Sequence, residues 1–142
     1  MKPYLLDVNV LLALAWTNHV HHSAAQTWFA KRGAQGFRTC PITETGFVRI
    51  SSNPAFTPAA VTPSAALALL ERVANMPGYG FWPDDVSLLE GPRPVAVLAG
   101  HRQVVDWYLL ALAASHGGVL ATFDRGAAGL AKVTRLALEL IE

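Results

Sequence analysis

The chain has 142 residues, enough for one domain with a sizeable core and no need of disulfides or a structural metal. Apolar residues reach 52 % and charged ones only 15 %, against a typical charged share of about 25 %. That balance excludes a disordered chain, and it leaves more apolar material than a lone domain readily hides, so a homodimer or a bound partner is expected. A net charge of +1 excludes binding to a polyanion by bulk charge alone.

In chain order, Tyr4 to Leu6 is short and apolar and ends at Asp7, the pattern of a buried strand. Val10 to Trp16 reads as a helical turn or two, and Ser23 to Arg32 as a helix stopped by Gly33. Phe37 to Cys40 is the next short strand. Pro41 then opens a helix over Ile42 to Ile50 that Asn53-Pro54 terminates. Thr62-Pro63 starts a helix with an apolar stripe of Leu67, Leu70, Val73 and Ala74, ended by Met76-Pro77-Gly78. Gly80 to Trp82 is a weak strand signal, Pro83 to Pro94 is mostly loop, and Val95 to Leu98 is ambiguous. Val104 to His116 is a helix with Gly117-Gly118 as its stop, and Val119 to Phe123 is a strand ending at Asp124. Asp124 could serve a turn with Arg125-Gly126, and Leu136 to Ile141 fits a last strand or a short helix.

Strands alternating with helices at this spacing define an α/β domain with a mainly parallel central sheet. No repeat, low-complexity stretch or linker divides the chain, so residues 1–142 are read as a single domain. The apolar start is interrupted by Asp7 and Asn9, which opposes a signal peptide, and no run reaches the roughly 18 apolar residues of a membrane span. A lone cysteine, Cys40, cannot close an internal disulfide and suits a reducing, cytoplasmic setting.

With ten acids in the chain, each placement can be weighed. Glu71, Asp84, Asp85, Glu90, Glu139 and Glu142 fall in ordinary solvated places. Asp7 and Asp124 each follow an apolar strand, so both are expected at the carboxyl edge of the sheet, where open α/β sheets place ligands. Glu44 shares a helical face with Phe47 and Val48, and Asp106 with Leu109, Leu110 and Ala113, so both are expected to point inward. Buried carboxylates are costly unless paired, protonated or bound to metal, and too few basic residues lie nearby to neutralise four. Hard divalent cations take such oxygen ligands, and a cation held this way activates water and neutralises charge on a phosphodiester. Taken singly, Asp7, Asp106 and Asp124 could instead cap or open a helix or turn. Glu44 is no cap.

Leu6-Asp7-Val8-Asn9, Thr43-Glu44 with Gly46-Phe47, Val105-Asp106, and Ala121-Thr122-Phe123-Asp124 together resemble the PIN-domain family, and within it the VapC-type ribonuclease toxins. The resemblance implies a three-layer α/β/α fold on a sheet of four to five strands. It also implies a magnesium- or manganese-dependent endoribonuclease, the toxin of a type II toxin–antitoxin pair. Asp7, Glu44, Asp106 and Asp124 take over the acidic positions. Asp7 and Asp106 are expected to hold the principal metal, with Glu44 and Asp124 ligating directly or through water. Asn9 and Thr122 match positions that support the site by hydrogen bonds. By the same likeness the enzyme cleaves single-stranded or looped RNA to a 5′-phosphate and a 3′-hydroxyl, is blocked by an antitoxin lying across its groove, and pairs as a homodimer.

Other residues carry weaker signals. His101, Arg102 and Arg125 are placed to contact RNA phosphates at the pocket rim. His19, His21 and His22 cluster, but nothing nearby completes a tetrahedral set, so they read as a solvated helix entrance. Phe81, Trp82, Trp107 and Tyr108 could stack on bases, although core or dimer packing is the commoner fate. Cys40 reads as an inert buried thiol. Two rival readings stand beside the nuclease. One is a phospho-acceptor signalling domain, which lacks its adjacent acids after the first strand here; the other is an inactive PIN-like module that only binds RNA or protein.

Overall fold

The computed structural model describes residues 2–90, 98, 100, 101 and 103–142. Its five strands are β1 Tyr4–Leu6, β2 Phe37–Thr39, β3 Tyr79–Phe81, β4 Val119–Thr122 and β5 Leu138–Leu140. They form one sheet in the order β3-β2-β1-β4-β5 with every pairing parallel. Its helices are α1 Val8–Ala15, α2 His22–Arg32, α3 Pro41–Ser51, α4 Pro63–Ala74, α5 Gln103–Ser115 and α6 Arg125–Thr134.

Strand alternation sorts the core into two layers. Tyr4 and Leu6 of β1 turn to the face covered by α1 to α4, packing with Val10, Leu11, Leu12, Trp28, Phe47, Leu70 and Val73. Leu5 and Leu120 turn to the opposite face, against Leu109, Leu110 and Leu112 of α5 and Leu130 and Ala131 of α6. The result is the expected three-layer α/β/α arrangement. No described helix is long and apolar enough to cross a membrane.

Local chemistry sets the element ends. Thr62 caps α4 by accepting the Ala65 N–H at 3.2 Å, with Pro63 in the first turn. In α3 the Thr43 hydroxyl reaches back to the Cys40 N–H at 3.0 Å. Gly117, with φ of 69°, turns the chain out of α5 where an L side chain would be strained.

One expectation needs correction. Residues 125–134 form a full helix rather than a turn; its two glycines, Gly126 and Gly129, hide the pattern, and Asp124 at the cap nucleates it. As the sequence implied, α2 ends at Arg32 with Gly33 as its cap, and a 3-10 turn over Gly33–Gln35 then carries the chain to Gly36 at φ 103°. The ambiguous last segment is a strand. Of the loop residues, 83–90 contain no helix or strand, while Pro94, Val95 and Arg102 lie outside the described residues.

Candidate functional site

The topology fixes where a ligand belongs. From β1 the chain builds outward through β2 to β3, then crosses to the other side of β1 to add β4 and β5. The order therefore reverses between β1 and β4, and the crevice beyond their carboxyl ends is the switch point where open α/β sheets bind ligands. Leu6 pairs with Ala121 in the parallel register, which brings the next residues, Asp7 and Thr122, level with one another at that edge.

Asp7 is 8 % exposed, and both its oxygens are engaged. Oδ1 accepts the Val8 N–H at 2.7 Å as the cap of α1, and Oδ2 accepts the hydroxyl of fully buried Thr122 at 2.7 Å. The Thr122 oxygen in turn accepts the Asp124 N–H at 3.0 Å, so one hydroxyl ties Asp7 to the backbone of Asp124. Asp124 caps α6, its Oδ1 accepting the Gly126 N–H at 2.7 Å and the Ala127 N–H at 3.4 Å. Its Oδ2 has no hydrogen-bond partner among the described residues. Capping and a role in the site are thus compatible, since each carboxylate has two oxygens.

Asp106 enters from the first turn of α5 and is half-buried. Burial first, then the charges of Asp7 and Asp124, push its carboxyl up to about 6. Burial also raises the Asp7 carboxyl, with the Thr122 and Val8 hydrogen bonds opposing and Asp124 adding to the rise. Three aspartates from β1, β4 and α5 therefore feel one another at the switch point. None of them forms an ion pair with a Lys or Arg among the described residues.

Glu44 is handled differently. Its Oε2 accepts the hydroxyl of buried Thr39 at 2.8 Å and that of Tyr79 at 3.4 Å, and those two hydroxyls are 2.8 Å apart. The side chain is half-buried and is held by hydroxyls from β2 and β3. Among the described residues no group of three or more Asp, Glu, His or Cys side chains is gathered closely enough to hold a metal ion as it stands. Even so, the donor set suits a hard cation: all oxygen, sharing one crevice, mutually repelling and without a basic neighbour.

The supporting residues divide. Thr122 links the Asp7 carboxylate to the Asp124 backbone. Asn9 is exposed on the first turn of α1 and makes no side-chain hydrogen bond among the described residues. His101 is exposed, and Arg125 is exposed with a loose 3.9 Å ion pair to Glu142. Arg102 lies outside the described residues. Glu139 corrects the view of it as an ordinary solvated acid: it accepts hydrogen bonds from Tyr4 and from the Trp28 indole and pairs with Arg32 at 3.7 Å, pinning β5 to β1 and α2. Trp82 and Tyr108 are core residues, Trp107 is half-buried and Phe81 is exposed. Cys40 is fully buried and burial raises its thiol, in keeping with an inert side chain. The roles of Thr39 and Tyr79 escaped the sequence, although strand alternation with Phe37 does point Thr39 to the Glu44 side of the sheet.

The family model of the PIN domain matches residues 4–133. The chain belongs to the PIN domain family, and its curated relatives are VapC ribonucleases. Ribonuclease VapC39 of Mycobacterium tuberculosis is 51 % identical over 84 % of this chain and 87 % of its own length. Ribonuclease VapC38 of the same species is 45 % identical over 90 % of this chain and 89 % of its own. Among solved structures, the VapBC2 complex of Rickettsia felis bound to a promoter DNA fragment superposes with a TM-score of 0.64, covering 99 % of each chain at 10 % identity, and so shares the fold.

Proposed function

We propose that residues 1–142 are a single divalent-metal-dependent endoribonuclease domain, the toxin of a toxin–antitoxin pair, with its active site at the carboxyl edge between β1 and β4. The observation that carries this reading is the trio of aspartates, Asp7, Asp106 and Asp124, whose like charges meet in one crevice with no basic partner among the described residues. The kinship with VapC ribonucleases supports RNA as the substrate.

Asp7 and Asp106 would hold the cation, with Asp124 offering its free Oδ2 and Glu44 reaching the site from α3. A bound divalent ion, magnesium or manganese, supplies charge neutralisation at the scissile phosphate and a lowered pKa for attacking water. Thr122 fixes the Asp7 carboxylate, and through the Asp124 N–H it fixes the start of α6, so two donors keep their spacing. Thr39 and Tyr79 orient Glu44. Asp106, whose proton affinity is raised, must be ionised to act as a donor, so protons compete with the cation for it and metal uptake weakens as pH falls.

The toxin is blocked by an antitoxin covering this groove, works as a homodimer and resides in the cytoplasm. The apolar surplus of the chain and exposed Val104 and Val105 on α5 support a protein partner. These remain distinct tests from catalysis. The decisive assay is cleavage of single-stranded RNA with manganese, with excess chelator, and with Asp7→Ala. Cleavage by the native protein with manganese alone is expected. RNA bound but never cut would leave an inactive binding module.

A further inference from the structure

Beside the acidic crevice lies an aromatic pair that the catalytic reading leaves unused. His21, the residue before α2, stacks on Phe123 with ring centroids 4.6 Å apart and an interplanar angle of 16°. Phe123 is the residue between Thr122 and Asp124, so the pair is attached directly to the acidic edge. His21 is exposed, whereas Phe123 is half-buried against the core, which makes the lower ring a fixed support and the upper ring a surface. The His19 Nδ1 accepts the His21 N–H at 3.0 Å and holds the backbone that presents the ring. A cavity of about 550 Å³ opens here, lined by His21, Phe123, Asp124, Arg125, Leu140 and Glu142 among others.

We propose that the His21–Phe123 stack is a nucleobase platform, on which a base of single-stranded RNA next to the scissile phosphate lies over the histidine ring. The proposal rests on the nuclease reading above and names how its substrate is gripped. Unpaired bases are recognised by stacking on flat side chains, histidine included, and such contacts tolerate any base because every base has a π-face. An exposed planar ring stacked on Phe123, with the tilted His19 ring 5.8 Å away, is ordered in advance, so little side-chain freedom is lost when a base arrives. Arg125, which among the described residues makes a loose pair to Glu142, stands in the same cavity wall to meet a neighbouring phosphate. The cavity is large enough for a base, and Asp124 forms part of its lining. The pair's position, rather than the count of histidines, sets its role.

The test uses His21→Ala and His21→Tyr in the full chain. Manganese-supported cleavage of a single-stranded RNA should show KM raised roughly 10-fold or more by His21→Ala, with kcat within about 2-fold, because one lost base stack weakens binding by that order. His21→Tyr should restore KM. Binding of a fluorescein-labelled oligouridylate, read by anisotropy in chelator where no cutting occurs, should fall by the same factor for alanine and recover for tyrosine. Thermal unfolding should be unchanged, since the ring is exposed. Native-like KM and anisotropy in His21→Ala, a loss of kcat alone, or failure of tyrosine to rescue would each overturn the platform. So would intact RNA binding with weakened inhibition by a protein partner. If the native chain cuts no RNA but the anisotropy pattern holds, the nuclease reading fails and the platform stands.

Discussion

Replacing Asp106 by asparagine keeps the shape of the side chain and removes its charge, so it isolates the repulsion at the switch point. In the folded protein the carboxyl is raised from 3.8 to about 6, so the folded state binds this proton more tightly than the unfolded chain does. Protonation therefore stabilises. That contribution is intact below the ordinary carboxylate range and is lost as pH rises from about 4 through about 6. A rise of about two pH units corresponds to about 3 kcal/mol, and because Asp106 is only half-buried, solvent screening brings the net effect to about 1–2 kcal/mol. In chelator near neutral pH, Asp106→Asn should thus be more stable than the native chain, with Tm higher by about 3–6 °C for a domain of this size. The advantage should vanish near pH 4. Manganese should raise the native Tm, by about 2.7 kcal/mol of added stability at a hundred times its Kd, and should raise that of Asp106→Asn much less. Unfolding curves across this pH range, with and without manganese, decide the matter. An Asp106→Asn protein that is no more stable than native at neutral pH, with the same response to manganese, would refute the picture of uncompensated charge awaiting a cation.

Other perturbations separate chemistry from architecture. Thr122→Val removes the donor to Asp7 and the acceptor of the Asp124 N–H in a fully buried position; stability should fall by about 1–3 kcal/mol, and RNA cleavage should fall more than folding explains. Glu139→Ala strips Tyr4 and Trp28 of their shared acceptor and should lower stability by about 1–3 kcal/mol, while the folded fraction cleaves RNA normally. Gly118→Ala places a Cβ 2.4 Å from the Trp82 ring and 2.7 Å from the Pro3 carbonyl oxygen; because backbone cannot give way cheaply, about 3 kcal/mol of destabilisation is expected in chemical denaturation. Tyr79→Phe leaves Glu44 with the Thr39 hydroxyl alone and should reduce kcat modestly with little change in KM.

Much of the fold was legible because local and tertiary signals agree. The apolar run at Tyr4 to Leu6 is a buried parallel strand, that at Val119 to Phe123 is one as far as Thr122, and Thr62-Pro63 and Gly117 mark real helix ends. The α6 helix was illegible because glycines at positions 126 and 129 weaken its propensity, while Leu130 and Ala131 bury against α5 and supply what propensity lacks. For the site, position after a strand located Asp7 and Asp124, since parallel register carries successive strand ends to one edge. Helical periodicity placed Glu44 and Asp106 facing inward but could not say which neighbour each meets. That depends on strand order, which sets β3 beside β2 and so brings Tyr79 to Glu44. Glu139 was misjudged for the same reason: only the pairing of β4 with β5 carries it toward Tyr4 and Trp28. The His21–Phe123 stack joins residues about a hundred positions apart, which no periodicity records.

If Asp7 and Asp106 hold a divalent cation between them, manganese uptake reads it most directly. Free manganese followed by electron paramagnetic resonance should fall on adding native protein and stay high on adding Asp7→Asn or Asp106→Asn. Equal uptake by all three proteins would place the ion elsewhere and contradict the account.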